Sequence, residues 1–166
     1  MRVEFDIRTG RGEDWDAMRR VFVEAGRAAW SQILPASTLA DPSAPDRWRP
    51  GAGADVLVAD CVSDIVGFVC LWPSADEDAP PSVGEIDACY THPSMWRLGV
   101  GRALLSAAVA RLAACGFREA TLWTEHRNYR PLRLYRAAGW TLDGAERRRV
   151  FRGTELLELR HRVSIA

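Results

Sequence analysis

Apolar and polar residues alternate at the start of the chain, with Val3, Phe5 and Ile7 set against Glu4, Asp6 and Arg8. That two-residue period predicts a strand with one wet face. From Glu13 to Trp30 the period lengthens, and Trp15, Met18, Val21, Phe22, Ala25 and Ala29 fall on one side of a helix. Pro35 to Ala54 is rich in Pro, Ser, Ala and Asp, which predicts a loop with at most one short helix near Ala36 to Leu39. Asp55 to Asp60 and Ile65 to Trp72 are short apolar runs joined near Ser63 and Asp64, the pattern of a hairpin. Beyond an acidic, Pro-rich loop (Asp76 to Ser82), Val83 to Thr91 predicts a fourth strand. A helix follows from about Val100 to Cys115, stopped by Gly116. Glu119 to Thr124 is a fifth strand, and the intervening helix makes it a parallel neighbour of the fourth. Asn128 to Ala138 is a short helix ended by Gly139. Trp140 to Leu142 begins a sixth strand, and Glu155 to Val163 alternates as a seventh. This is the order of one mixed α/β domain, antiparallel at its start with a parallel pair at its centre.

Composition narrows the function classes. The chain has 166 residues and is 48% hydrophobic, enough for one core. Its formal net charge is zero, so no broad attraction to nucleic acid or anionic membrane is implied. No apolar run approaches the roughly 20 residues of a membrane span, and the opening MRVEFDIRTG has no signal-peptide core. Cys61, Cys70, Cys89 and Cys115 lack C-x-x-C spacing and read as reduced thiols of a cytoplasmic protein. His92, His126 and His161 share no metal-ligand spacing.

The chemistry concentrates between Val83 and Leu105. There a strand closed by Pro93 leads through a turn to Gly99-Val100-Gly101, which opens a helix. A helix N-terminus aims free N–H groups and partial positive charge at one point, and glycines let a phosphate or diphosphate approach the backbone. The same residues also suit a plain strand-to-helix turn. A Walker loop is excluded because all 22 basic residues are arginines. A dinucleotide fingerprint is excluded because its third glycine falls at Leu104 and its acid at Thr121. The absence of lysine removes Schiff-base chemistry as well.

With these elements in this order, the chain from Val3 to about Val163 resembles the GNAT superfamily of acyl-CoA-dependent N-acyltransferases. Three segments carry the resemblance. Cys89-Tyr90-Thr91-His92-Pro93 matches the family's end of the fourth strand. Trp96-Arg97-Leu98-Gly99-Val100-Gly101 matches its pyrophosphate loop, Gln/Arg-x-x-Gly-x-Gly/Ala, with Trp96 in place of the first residue and Arg97 where glycine is frequent. Asn128, the only asparagine, precedes Tyr135-Arg136-Ala137-Ala138-Gly139-Trp140, matching Asn followed by Tyr-x-x-x-Gly-aromatic. The resemblance implies a GNAT-like single domain over 1–166. Its mixed sheet has about seven strands and four or so helices, with strands four and five parallel and splayed.

It also implies the donor, acetyl-CoA. The diphosphate would sit on the amides of Arg97, Leu98, Gly99, Val100, Gly101 and Arg102, and the pantetheine arm beside Cys89, Tyr90 and Thr91, where an exposed strand edge pairs with an amide-bearing ligand. Asn128 is expected to cap the short helix and to reach that arm. Tyr135, protonated at neutral pH, is the candidate general acid for the leaving thiolate. Glu85 is the first candidate for the base, acting through water, and Asp87 the second, with Glu125 and His126 in reserve. A ping-pong route through Cys89 is disfavoured, since no histidine adjoins it.

The acceptor, an amine of unidentified structure, would lie between the first helix and the last two strands. Trp30, Trp48, Trp72 and the run Asp76-Glu77-Asp78 are the expected contacts. Arg147, Arg148, Arg149 and Arg152 read as a solvent-exposed hairpin rather than a nucleic-acid patch. Another acyl-CoA donor, or a CoA-binding sensor or subunit without turnover, stands as the alternative. Relatives in the superfamily often form homodimers through their final strands.

Overall fold

The computed structural model describes residues 3–39, 49–62 and 64–165. Seven strands form one sheet: β1 (Asp6–Thr9), β2 (Asp55–Cys61), β3 (Asp64–Pro73), β4 (Val83–Thr91), β5 (Glu119–Glu125), β6 (Thr141–Phe151) and β7 (Thr154–Ser164). Their order across the sheet is β1-β2-β3-β4-β5-β7-β6. Only β4 and β5 run parallel; the other neighbours are antiparallel. The helices are α1 (Trp15–Trp30), α2 (Ala36–Leu39), α3 (Val100–Ala114) and α4 (Tyr129–Ala137). The architecture is the one expected from the pattern of the sequence.

Two elements differ in extent. The first strand begins at Asp6 rather than Val3: its ladder with β2 runs from Asp6 opposite Asp60 to Thr9 opposite Leu57. Phe5 still packs against the core on the α3 side. The sixth strand continues to Phe151, although its sequence shows no apolar alternation. It is the exposed outer strand, so pairing with β7 defines it and burial does not.

The sheet buries a different core on each face. On one side α3 sets Val100, Leu104, Leu105, Ala108 and Leu112 against Leu57, Val69, Leu71, Ile86 and Leu122. On the other, α1 packs Met18 and Val21 against Val56, Val58, Phe68, Cys70 and Ala88. A smaller cluster of Ile33, Leu34 and Leu156 anchors the segment after α1 to β7.

A buried cation ties the acidic loop to the end of the sheet. The Arg160 Nε donates to Asp143 at 2.7 Å, its Nη1 to Asp76 at 3.0 Å and to Asp78 at 2.6 Å, and its Nη2 to Asp78 at 2.6 Å. Asp76 also accepts from the Trp123 indole N–H at 3.1 Å. Asp76 and Asp78 are therefore engaged by Arg160, not held out for an acceptor. Removing a buried ion partner leaves the remaining charges uncompensated. Arg160→Ala is expected to lose about 3 kcal/mol of stability, or roughly 6–12 °C in Tm for a chain of this size, measured by thermal unfolding.

Between β4 and β5 the ladder is short. It holds Val83 opposite Glu119, Gly84 opposite Ala120 and Glu85 opposite Thr121, and goes no further. Beyond Glu85 the two strands part, so the inner edge of β4 from Ile86 to Thr91 has no strand beside it. A bulge adds to the opening: Leu71 pairs with Ile86 and Cys70 with Ala88, so Asp87 is an extra residue. The bulge reverses the alternation. Ile86 packs on the α3 side, while Ala88, two residues on, packs on the α1 side.

Candidate functional site

The gap between β4 and β5 opens into a cleft of about 540 Å³. Its walls are β4 from Glu85 to Tyr90, β5 from Leu122 to Glu125, the start of α4 with Asn128, Pro131 and Tyr135, the end of α1 with Ala29 and Trp30, and Arg147, Arg149 and Glu158 of the last hairpin. Of the residues expected from the sequence, the cleft gathers Glu85, Asp87, Cys89, Tyr90, Glu125, Asn128, Tyr135 and Trp30. Trp72 is placed elsewhere, its ring stacked close to Gly51. Trp48 lies outside the described residues.

At the far end of β4 the chain builds the glycine loop. Gly99 is the N-cap of α3 and adopts φ +92°. A Cβ there would meet nothing within 4 Å, so the space before the loop is open. Arg97 also takes a left-handed conformation, φ +67°, which explains why glycine is common at this place in the motif. At Gly101 a Cβ would sit 3.1 Å from Leu134 Cδ2 and 3.6 Å from Thr91 Oγ1. This glycine therefore lets α3, α4 and the end of β4 converge. Trp96 has its own function: its indole N–H donates to the Thr91 carbonyl at 2.9 Å, and the Arg130 guanidinium stacks 3.8 Å above its ring. His92 ties the same corner to α1 through Glu24, at 2.7 Å. An open, glycine-capped helix N-terminus beside an unpaired strand edge has the shape and charge to take a diphosphate and an amide-bearing arm.

Tyr135 comes from α4 into the floor of the cleft and is buried. Its ring packs at 6.3 Å from Trp140 and 5.7 Å from His161. Desolvation pushes its pKa well above the ordinary phenol value, against a small opposing effect of the Thr124 side chain. It keeps its proton throughout the physiological range. Burial likewise pushes the Cys89 thiol up to about 12, so it is not the thiolate that a ping-pong route needs. Tyr90 packs its ring against Phe22 and Phe68, and burial takes its pKa to about 12.

The carboxylates divide clearly. Glu85 is partly buried, and desolvation raises its pKa, opposed by the Ala75 N–H, which donates to Oε2 at 3.4 Å. Asp87, in the bulge, is exposed. Glu125 has no exposed side chain and is saturated: Oε1 accepts from Arg127 Nε at 2.8 Å and faces His126 Nδ1 at 3.2 Å, while Oε2 accepts from the Arg127 N–H at 2.6 Å. Its carboxylate holds the turn into α4.

Asn128 occupies the N-cap of α4 but makes no side-chain cap hydrogen bond, which corrects the expectation that it caps the helix. The third helical residue is Pro131, which has no N–H for a cap to satisfy. Its side chain is left to the cleft, whose wall it forms.

The sequence placed Arg147 and Arg149 on an exposed hairpin, but gave no sign of Glu158, which holds both in the wall of the cleft. Arg147 Nε donates to Glu158 Oε2 at 2.6 Å and Arg149 Nε to Oε1 at 3.0 Å. Arg148, between them, pairs instead with Glu155. The strand alternation of Arg147 and Arg149 around Arg148 was the available signal, hidden by an outer strand with no apolar period.

Known proteins agree with this geometry. The sequence profile described as "Acetyltransferase (GNAT) family" matches residues 15–140. A mycothiol acetyltransferase of Amycolatopsis mediterranei is 31% identical over 137 residues, 78% of this chain and 44% of that protein. Another, of Sanguibacter keddieii, is 42% identical over 87 residues, 51% of this chain and 27% of that protein. The chain thus spans less than half the length of these curated relatives. Among solved structures, yncA of Salmonella typhimurium with its cofactor acetyl-CoA superposes with a TM-score of 0.72 at 23% identity, covering 98% of this chain and 95% of that one. The PaiA N-acetyltransferase of Thermoplasma acidophilum in complex with coenzyme A gives 0.71 at 18% identity, covering 95% and 98%. With the glycine-capped loop, the parted strands and the tyrosine between them all on one chain whose profile match spans most of its length, the protein belongs to the GNAT acetyltransferase family.

Proposed function

We propose that the protein transfers an acetyl group from acetyl-CoA to a primary amine by direct attack within a ternary complex. One observation carries the reading: the unpaired inner edge of β4 runs directly into the Gly99 loop, with the Tyr135 side chain in the cleft beside it. Here acetyl-CoA is a substrate. The amides of residues 97 to 102 bind its diphosphate, and Arg97 and Arg102 add charge-assisted hydrogen bonds. The β4 edge at Cys89, Tyr90 and Thr91 orients the pantetheine arm, and Asn128 contacts it from α4. Glu85 takes the proton of the incoming ammonium through water. The amine nitrogen then forms its bond to the thioester carbon, the C–S bond breaks, Tyr135 gives its proton to the departing sulfur, and the second nitrogen proton, lost as the amide forms, restores the Tyr135 hydroxyl. Asp87 is the second candidate for the base.

Thermal unfolding tests donor binding. A ligand at 100 times its Kd adds about 2.7 kcal/mol, a shift above roughly 5 °C at this size. Acetyl-CoA is expected to give that shift, and amines are expected to release free CoA thiol in its presence. A shift without thiol release for any amine would favour a CoA-binding subunit, and a larger shift with a longer acyl chain would favour another donor.

The base carries a pH signature. Burial raises the Glu85 pKa, so the deprotonated form needed for catalysis is lost at a higher pH than for an exposed glutamate. The acidic limb of kcat/KM is expected above the ordinary value of 4.5, with activity present above it and falling below it. Glu85→Gln should remove the limb and lower kcat/KM by about 10²-fold. A limb that persists unchanged in the variant would move the assignment to Asp87.

A further inference from the structure

The face of the sheet opposite α3 presents two kinds of arginine. Arg160 spends all three guanidinium nitrogens on Asp76, Asp78 and Asp143. Arg147 and Arg149 do the reverse. Each is held to Glu158 through Nε alone, at 2.6 and 3.0 Å, and among the described residues the terminal nitrogens of both have no hydrogen-bond partner. Glu158 is 5% exposed, whereas the two arginine side chains are 45% and 47% exposed. One carboxylate therefore anchors two guanidiniums through Nε, one positive charge more than it balances by itself, and both arginines line the cleft.

The arrangement is also preorganised. The Arg147 guanidinium lies 4.4 Å from the centre of the Trp123 ring, and Asp76 fixes that ring through its indole N–H. Arg147 therefore has little side-chain freedom left to lose when an anion binds, and the Nε bond to Glu158 holds Arg149 beside it, so the pair suits a planar, bidentate partner. Across the cleft stand Glu85, within electrostatic reach of Arg147, and Tyr90, within reach of Arg149. The wall thus offers a carboxylate and, facing it, a pair of guanidinium ends. The diphosphate-type loop at residues 97 to 102 serves the other face, where α3 packs, and does not account for this second cationic site.

We propose that Arg147 and Arg149 bind a carboxylate on the acceptor, so that the acceptor is a free amino acid or a compound with an α-amino acid end. Its ammonium group faces Glu85 and its carboxylate the two arginines. This rests on the acetyltransferase reading above. In the step, one ammonium proton leaves through Glu85, the amino nitrogen bonds to the acetyl carbon as the C–S bond breaks, the thiolate takes the Tyr135 proton, and the second nitrogen proton, lost as the amide forms, restores the Tyr135 hydroxyl. The acceptor's carboxylate stays ionised and unchanged.

The test compares L-phenylalanine, L-methionine and L-glutamate with phenylalaninamide, methioninamide and the α-amide of glutamate, by release of CoA thiol from acetyl-CoA. At least one free acid is expected to exceed its amide in kcat/KM by about 10–100-fold, the range for a lost charged hydrogen-bonding partner. Arg147→Gln and Arg149→Gln should each erase most of that preference through KM, with the acetyl-CoA-induced thermal shift retained as proof of a folded donor site. Arg148→Gln, on the opposite face, should keep the preference. Equal use of acids and amides, better use of the amides, or acetylation of none of the six by protein that binds acetyl-CoA would each overturn the proposal. A preference that survives both arginine substitutions would overturn it too. Absence of any thermal shift with acetyl-CoA would instead strike the acetyltransferase reading itself.

Discussion

Valine at position 99 is expected to abolish acetyl-CoA binding while leaving the protein folded. The backbone there sits at φ +92°, a region that a β-branched residue does not occupy without strain of order 1–3 kcal/mol. Space does not oppose the side chain, since a Cβ meets nothing within 4 Å. The loop would therefore relieve its strain by rotating, and the amides at the start of α3 would cease to point at one spot. Gly101→Val should have the same effect on binding by a different route: its Cβ lies 3.1 Å from Leu134, so the valine wedges α4 away from α3 and lowers Tm as well. Gly99→Asn supplies the contrast, because asparagine tolerates the left-handed region. It should keep part of the affinity that valine loses. Calorimetric titration with acetyl-CoA reads all three, and wild-type affinity in Gly99→Val would mean that the diphosphate is not held by this loop.

Phenylalanine at position 135 is expected to lower kcat by at least tenfold, and by about 10²-fold if proton delivery limits the reaction. The ring contacts with Trp140 and His161 do not involve the hydroxyl, so packing and the acetyl-CoA Kd should be nearly unchanged. Burial raises the Tyr135 pKa, so the hydroxyl is protonated whenever the substrates are bound, and no alkaline limb at the ordinary phenol value is expected. Amines acetylated at an unchanged rate by the variant would remove Tyr135 from the mechanism and leave water as the proton source.

The outcome at the site follows a pattern. The glycine loop and the tyrosine of α4 were legible as positions because each belongs to a local motif whose geometry is set within a few residues of the chain, whereas Glu85 was legible only as a carboxylate on a predicted strand. Arg97 even shows why a glycine is frequent at its place, since the loop demands φ +67° there. Asn128 was legible as a position but not as an interaction. Its cap bond is absent, and Pro131 at the third helical position removes one of the two N–H groups that such a cap can use, a detail that the sequence contains and the general rule for caps overlooks.

Taken alone, the sequence determined the order and type of the elements, the parallel β4–β5 pair and the place of the glycine loop that opens α3. Periods of two and 3.6 residues, glycines at helix ends and a helical crossover are local signals that tertiary contacts seldom overrule. Only the folded sheet decided the rest. The bulge at Asp87 depends on how β4 registers against β3. Arg160 is silenced by three aspartates distant in the chain, whereas Arg147 and Arg149 are left open over one buried glutamate. Identical side chains take opposite roles there because a charge is defined by the partners that strand pairing brings to it, and those partners are not neighbours in sequence.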